Sequence, residues 1–186
     1  MFQRAGYRVA DVDFERFVAE AIDQFAERYR SEEPTPATRA ILTDAGFDLT
    51  PLPDGTLDEM VARQAAQYAT FLATSYTVTE AARVLHVDRS RVLQRITDRS
   101  LYAVKTGREW RLPRWQFTEA GVVPGLAPVI AVLVHDGVDP LSVTAFLTDD
   151  DDEFVIHGEP VSPLRWLAAG RDPAPVVAAA QSLSWS

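Results

Sequence analysis

The chain contains no cysteine. Disulfide scaffolding, thiolate zinc sites and a cysteine nucleophile are therefore excluded. It also lacks a long apolar run. The longest, Ala120 to Val134, is too short to span a bilayer and is interrupted by Pro124, Gly125 and Pro128. The opening residues, MFQRAGYRVADVDFERF, bring acids early and hold no apolar stretch of signal-peptide length. A cytoplasmic protein without a membrane partner is the expectation. No Gly-rich phosphate loop, nucleophile elbow or Ser-His-acid arrangement is present. His86, His135 and His157 stand far apart, with no metal-ligand spacing around any of them. The acids Asp149 to Asp152 lack the spaced ligands and glycine of a calcium loop, so a solvated loop is expected there. Neither an enzyme nor a cofactor nor a bound metal is expected.

What is present is an uneven distribution of charge. The 186 residues are 47% hydrophobic and 24% charged, the composition of a soluble globular protein large enough for one or two compact units. The net charge is −9, yet residues 76–118 hold nine Lys/Arg against four Asp/Glu, a local charge of +5. The rest of the chain then carries −14. A basic module in an acidic chain is what binding to a polyanion requires, because phosphate neutralisation supplies most non-specific affinity.

Within this module TVTEAARVL opens a helix. Thr77 and Glu80 have capping-box spacing, and Val78, Ala81, Ala82 and Leu85 line one face. After His86-Val87, Asp88 can cap a second helix, RSRVLQRI. There Val92, Leu93 and Ile96 are expected to point inward, leaving Ser90, Arg91, Gln94 and Arg95 on the opposite face. Two short helices with a tight turn, the second bearing Arg and Gln, match a helix-turn-helix. In LYAVKTGREWRL, a Thr106-Gly107 turn is expected to join two extended segments from which Lys105, Arg108 and Arg111 project. Arg and Gln at a helix start can reach base edges, while a basic hairpin can grip phosphates.

Tyr76 to Phe117 resembles the excisionase-like, MerR-type winged helix-turn-helix, with TVTEAARVLHVDRSRVLQRI, a basic hairpin and LPRWQF. That resemblance implies DNA contact by the second helix and the wing. The residues concerned are Arg89, Ser90, Arg91, Gln94, Arg95, Lys105 and Arg108.

The flanking regions are acidic. Residues 1–75 carry seven basic and thirteen acidic residues and read as a helical scaffold or dimerisation element. Phe14, Phe17, Val18, Ala21, Ile22 and Phe25 have helical spacing, in a helix starting near Asp11 or Asp13 and stopping before Pro34-Thr35-Pro36. Shorter helices are expected over Ala37–Ala45 and Leu57–Ala73, with a loop over Leu49–Gly55. Residues 119–186 hold two basic and ten acidic residues. Gly125–His135 and Pro140–Leu147 read as helices joined at Asp136-Gly137. The acidic loop and an extended piece, FVIHGEPV, follow. Ser162 then caps a helix with Pro163 at its start and Gly170 at its close. Asp172 caps a last one, beginning at Pro173 and running to about Leu183.

Val143 to Ala180 resembles the toxin-binding domain of MbcA/ParS/Xre-type antitoxins. The matching residues are Phe146-Leu147, Gly158 to Pro160, Pro163, Trp166-Leu167 and Gly170 to Pro173. The resemblance implies a RES-domain, NAD-degrading toxin as partner, with Val176 to Ser186 covering its active-site entrance. Trp166, Leu167, Asp172, Val176, Val177 and Trp185 are the implied toxin-facing residues. For Trp185, packing on its own core or a disordered tail stands beside insertion into a partner.

The expected fold is mainly α. A winged helix-turn-helix with a small β-hairpin (76–118) is flanked by an N-terminal helical region (1–75) and a C-terminal helical domain (119–186). The expected function is that of an antitoxin and autorepressor, a homodimer binding double-stranded operator DNA and its cognate toxin. The alternative is a transcription regulator or excisionase-like factor without a toxin.

Overall fold

The computed structural model describes residues 16, 17, 19, 36 and 44 and the stretches 56–135 and 138–183. The expected helices around residues 11–33 and 37–45 therefore lie almost wholly outside the described residues. So do the expected loop over 49–55, the turn at Asp136-Gly137, and Trp185. The chain divides into two compact units, Met1–Ala73 and Thr74–Ser186. Among the described residues it is mainly helical, with seven α-helices and small antiparallel sheets.

In the first unit Arg16, Phe17 and Ala19 are helical and Phe17 is fully buried. Helix α1 (Thr56–Thr74) buries Val61, Ala65, Tyr68, Ala69 and Leu72, the three- and four-residue spacing of an amphipathic helix. The Tyr68 and Phe71 rings stack with centroids 6.0 Å apart.

The second unit begins with β1 (Tyr76–Thr77) and α2 (Val78–Val84). The capping box forms as expected. Thr77 Oγ1 accepts the Glu80 N–H at 3.2 Å, and the Glu80 carboxylate accepts the Thr77 N–H at 2.8 Å. A turn over Leu85–Asp88 leads to α3 (Arg89–Thr97), which Asp88 precedes without a side-chain cap bond. Strands β2 (Val104–Thr106) and β3 (Glu109–Leu112) form a hairpin. Together with β1 they make a three-stranded antiparallel sheet in the order β1-β3-β2. Val78, Ala81, Ala82, Val92, Leu101 and Leu112 form the core beneath, so both helices and the sheet share one apolar cluster.

A short 3₁₀ turn (Arg114–Gln116) and the pair β4 (Phe117–Thr118) and β5 (Gly121–Val122) lead into α4 (Leu126–His135) and α5 (Pro140–Thr148). Asp139 caps α5 by accepting the N–H groups of Leu141 and Ser142, and Pro140 occupies the first position. The acidic segment departs from expectation. Only Asp149 and Asp150 lie outside regular structure, and Asp151 to Glu153 belong to β6 (Asp151–Ile156), which pairs with β7 (Glu159–Val161). His157 and Gly158 turn this hairpin with φ of 56° and 87°, the two positive values of a type I′ loop. Helix α6 (Pro163–Ala168) follows, with the Ser162 hydroxyl accepting the Arg165 N–H. Asp172 then accepts the Ala174 N–H at the start of α7 (Ala174–Leu183).

No helix among the described residues is long and apolar enough to cross a membrane.

Candidate nucleic-acid interface

Helix α3 is held by Val92, fully buried, and by the half-buried Ile96 and Arg95. Ser90, Arg91 and Gln94 lie on its exposed surface, as the sequence pattern implied, and Arg89 is exposed beside them. Arg91 Nη1 donates to Gln94 Oε1 at 2.6 Å, one helical turn apart, so the two side chains are ordered as a pair. Arg95 is the least accessible of the five expected contact residues on this helix. Leu93 does not point inward. It is 41% exposed, because the core consumes only the Val92–Ile96 edge of so short a helix.

The approach to α3 is set by the turn before it. His86 has a φ of 53°, and its N–H donates to the Arg83 carbonyl, while the Val87 N–H donates to the Ala82 carbonyl. That is a Schellman close, built without glycine. The same motif ends α3. Arg99 has a φ of 60°, with the Arg99 and Ser100 N–H groups donating to the Ile96 and Arg95 carbonyls. His86 is exposed and acts through its backbone, and with Thr79, Arg83, Val87 and Arg89 it borders a shallow open depression.

The hairpin turns one residue later than expected. Thr106 pairs with Glu109, so Gly107 and Arg108 form the loop, with Gly107 at φ 57°. Lys105 and Arg108 are exposed as expected. Lys105 Nζ lies 5.8 Å from the centroid of the Trp110 ring, its directly opposite cross-strand partner, which steadies a flexible cation. Arg111 does not project. It sits in β3, paired with Thr77 on one side and Val104 on the other, and is 8% exposed. Its guanidinium holds Glu109, two residues away along the same strand face, at 2.9 Å.

Of the nine basic residues of the module, Arg83, Arg89, Arg91, Arg99, Lys105, Arg108 and Arg114 are exposed. Burial acts to raise the Glu80 carboxyl. Hydrogen bonds from Thr77 and the charges of Arg114 and Arg111 outweigh it and hold the group below its ordinary value of 4.5. Sequence reasoning missed Gln116. It is fully buried, accepts the Tyr102 N–H at 2.9 Å, and donates to the Tyr102 and Pro113 carbonyls at 2.8 and 3.1 Å. It thereby clamps the irregular segment leading into the hairpin.

In the C-terminal segment, Leu167 and Val176 are core residues, 1% and 0% exposed. Trp166 and Val177 are half-buried and Asp172 is exposed. The Trp166 ring lies 5.8 Å from that of Phe154, and its Nε1 donates to the Asp172 carbonyl at 2.9 Å. Among the described residues no group of His, Asp and Glu is arranged to hold a metal ion.

No family model matches this chain, and no curated protein matches it. Among solved structures, the NMR structure of Rv2175c is similar over 59% of this chain and 80% of its own, with a TM-score of 0.46 and 25% sequence identity.

Proposed function

We propose that this chain binds double-stranded DNA through a winged helix-turn-helix and regulates transcription. In this reading α3 is the recognition helix and the β2–β3 hairpin is the wing. The observation that carries it is the exposure of Arg89, Ser90, Arg91 and Gln94 on a helix whose other side is locked into the core by Val92, with Lys105 and Arg108 exposed on the neighbouring hairpin. Such a helix supplies base-reading donors, and the hairpin supplies phosphate contacts. One such module spans few base pairs, so a homodimer on paired half-sites is part of the proposal.

The finer reading is that of an antitoxin repressing its own operon. Its support is the antitoxin-like pattern from Val143 to Ala180, whose residues do specific local work. Ser162 and Asp172 accept the first N–H groups of α6 and α7, and Gly170, at φ 71°, closes α6. The burial of Leu167 and Val176 favours the second reading, a regulator without a toxin. A residue spent on the protein's own core is not free for a partner. In the antitoxin reading the partner-facing surface then draws on Trp166, Asp172 and Val177.

The test is duplex binding measured by fluorescence anisotropy with the DNA upstream of the gene. Replacing both Arg89 and Arg91 with Ala is expected to abolish binding while circular dichroism is unchanged. Undiminished binding by that variant would sink the proposal. Co-purification with the product of the adjacent reading frame, and rescue of growth on co-expression, separates the antitoxin from the toxin-free regulator.

A further inference from the structure

Ser90, Leu93, Gln94 and Thr97 follow one another at the intervals that place them on one stripe of α3, and all four are exposed. An isolated exposed leucine is ordinary. This one occupies the middle of the stripe that the DNA-binding reading turns towards the major groove, and its polar neighbours Gln94 and Thr97 are engaged within the helix. Arg91 Nη1 donates to Gln94 Oε1 at 2.6 Å, and Thr97 Oγ1 donates back to the Leu93 carbonyl at 3.0 Å. Glutamine reads adenine by accepting from N6 with its amide oxygen while donating to N7. Here one of that oxygen's two lone pairs is taken by Arg91, so the pair presents mostly N–H donors: the Gln94 amide hydrogens and the rest of the guanidinium. Donors together with an apolar side chain match two features of the major groove. Guanine offers two acceptors, O6 and N7, and thymine alone carries a methyl group.

We infer that α3 reads a thymine methyl group through Leu93 and, in the same half-site, a guanine through the Arg91–Gln94 pair. This rests on the DNA-binding reading above and adds to it the base edges that are selected. A second copy of the chain seated on Leu93 is the competing use of the same side chain.

The experiment selects duplexes from a random pool with the full chain and then edits the enriched site. Each thymine is replaced in turn by deoxyuracil, which deletes only the methyl group. At one thymine per half-site the wild type is expected to lose about fourfold in affinity, the factor a single buried methyl group is worth. The Leu93→Ala variant is expected to bind the thymine and uracil sites alike. Replacing the selected guanine by 7-deazaguanine, which removes N7, is expected to weaken the wild type and to leave Arg91→Ala unaffected. Selective binding with no uracil-sensitive position overturns the inference. So does a uracil penalty that persists in Leu93→Ala, or a change confined to the oligomeric state of that variant. Absence of any duplex binding overturns the DNA-binding reading itself, and this inference with it.

Discussion

At the scale of single residues, Gln116 has the largest structural consequence. Its amide replaces a missing strand neighbour for Tyr102, satisfying one backbone donor and one acceptor in a buried place. Substitution by Leu removes both partners at once. It is expected to cost about 2–3 kcal/mol, the penalty of stranding buried backbone groups, read as a lower urea midpoint. Glu80 gives a pH signature. Its carboxyl titrates below 4.5 in the folded chain, so the unfolded chain binds more protons in acid. The stabilisation is complete above the ordinary carboxylate value and is lost as pH falls through the depressed one. The melting temperatures of wild type and Glu80→Gln should therefore differ more at pH 7 than at pH 3, and a constant gap would count against this assignment. The Gln116 role is not visible in one sequence. The Thr77–Glu80 capping box is, because it depends on a local spacing of three residues, whereas Gln116 reaches fourteen residues back to Tyr102.

At the scale of elements, local chemistry made most of the helix boundaries legible. The caps at Thr77, Asp139, Ser162 and Asp172 act where Ser, Thr or Asp precedes a helix. Asp88 is the exception, making no side-chain cap bond, and two further departures come from strand pairing. Arg111 reads as a projecting hairpin cation until β1 pairs with β3 and places it in the central strand. Asp151 to Glu153 read as a loop until β7 returns beside them. Leu93 carries the right period for burial, but the core reaches only one edge of α3.

The glycine-free helix closes make a prediction at this scale. His86 holds a left-handed conformation that a β-branched residue resists. His86→Val is expected to destabilise by about 1–2 kcal/mol, and His86→Gly to leave the urea midpoint unchanged or higher. Gly125 is constrained twice. Its φ is 72°, and a Cβ there would come within 3.3 Å of both Leu167 Cδ2 and Pro173 Cβ. Gly125→Ala is therefore expected to cost about 1–3 kcal/mol through strain and overpacking where the start of α4 meets the α6–α7 junction.

At the scale of the whole molecule, charge segregation is the organising fact. A region of +5 lies in a chain of −9, and all but two of its nine basic side chains are exposed. The two exceptions are the half-buried Arg95 and the buried Arg111. In the proposed DNA-binding reading, the acidic remainder disfavours attraction of nucleic acid to the rest of the chain. The charge segregation was legible from residue counts, and the mainly helical class from apolar periodicity and cap residues. What the sequence could not show was which cations the core takes out of use, namely Arg111 and in part Arg95. In the proposed reading the exposed side chains divide the work, α3 reading bases and the β2–β3 hairpin gripping phosphates.

That division is tested most directly by the salt dependence of duplex affinity for the full chain and two variants. Lys105→Ala combined with Arg108→Ala is expected to make the slope of log K against log salt shallower by about 2, roughly one unit per phosphate contact, with sequence preference unchanged. Leu93→Ala is expected to do the reverse, leaving the slope intact and relaxing the preference. A wild-type affinity that does not respond to salt, or a hairpin variant whose slope matches the wild type, would contradict the account.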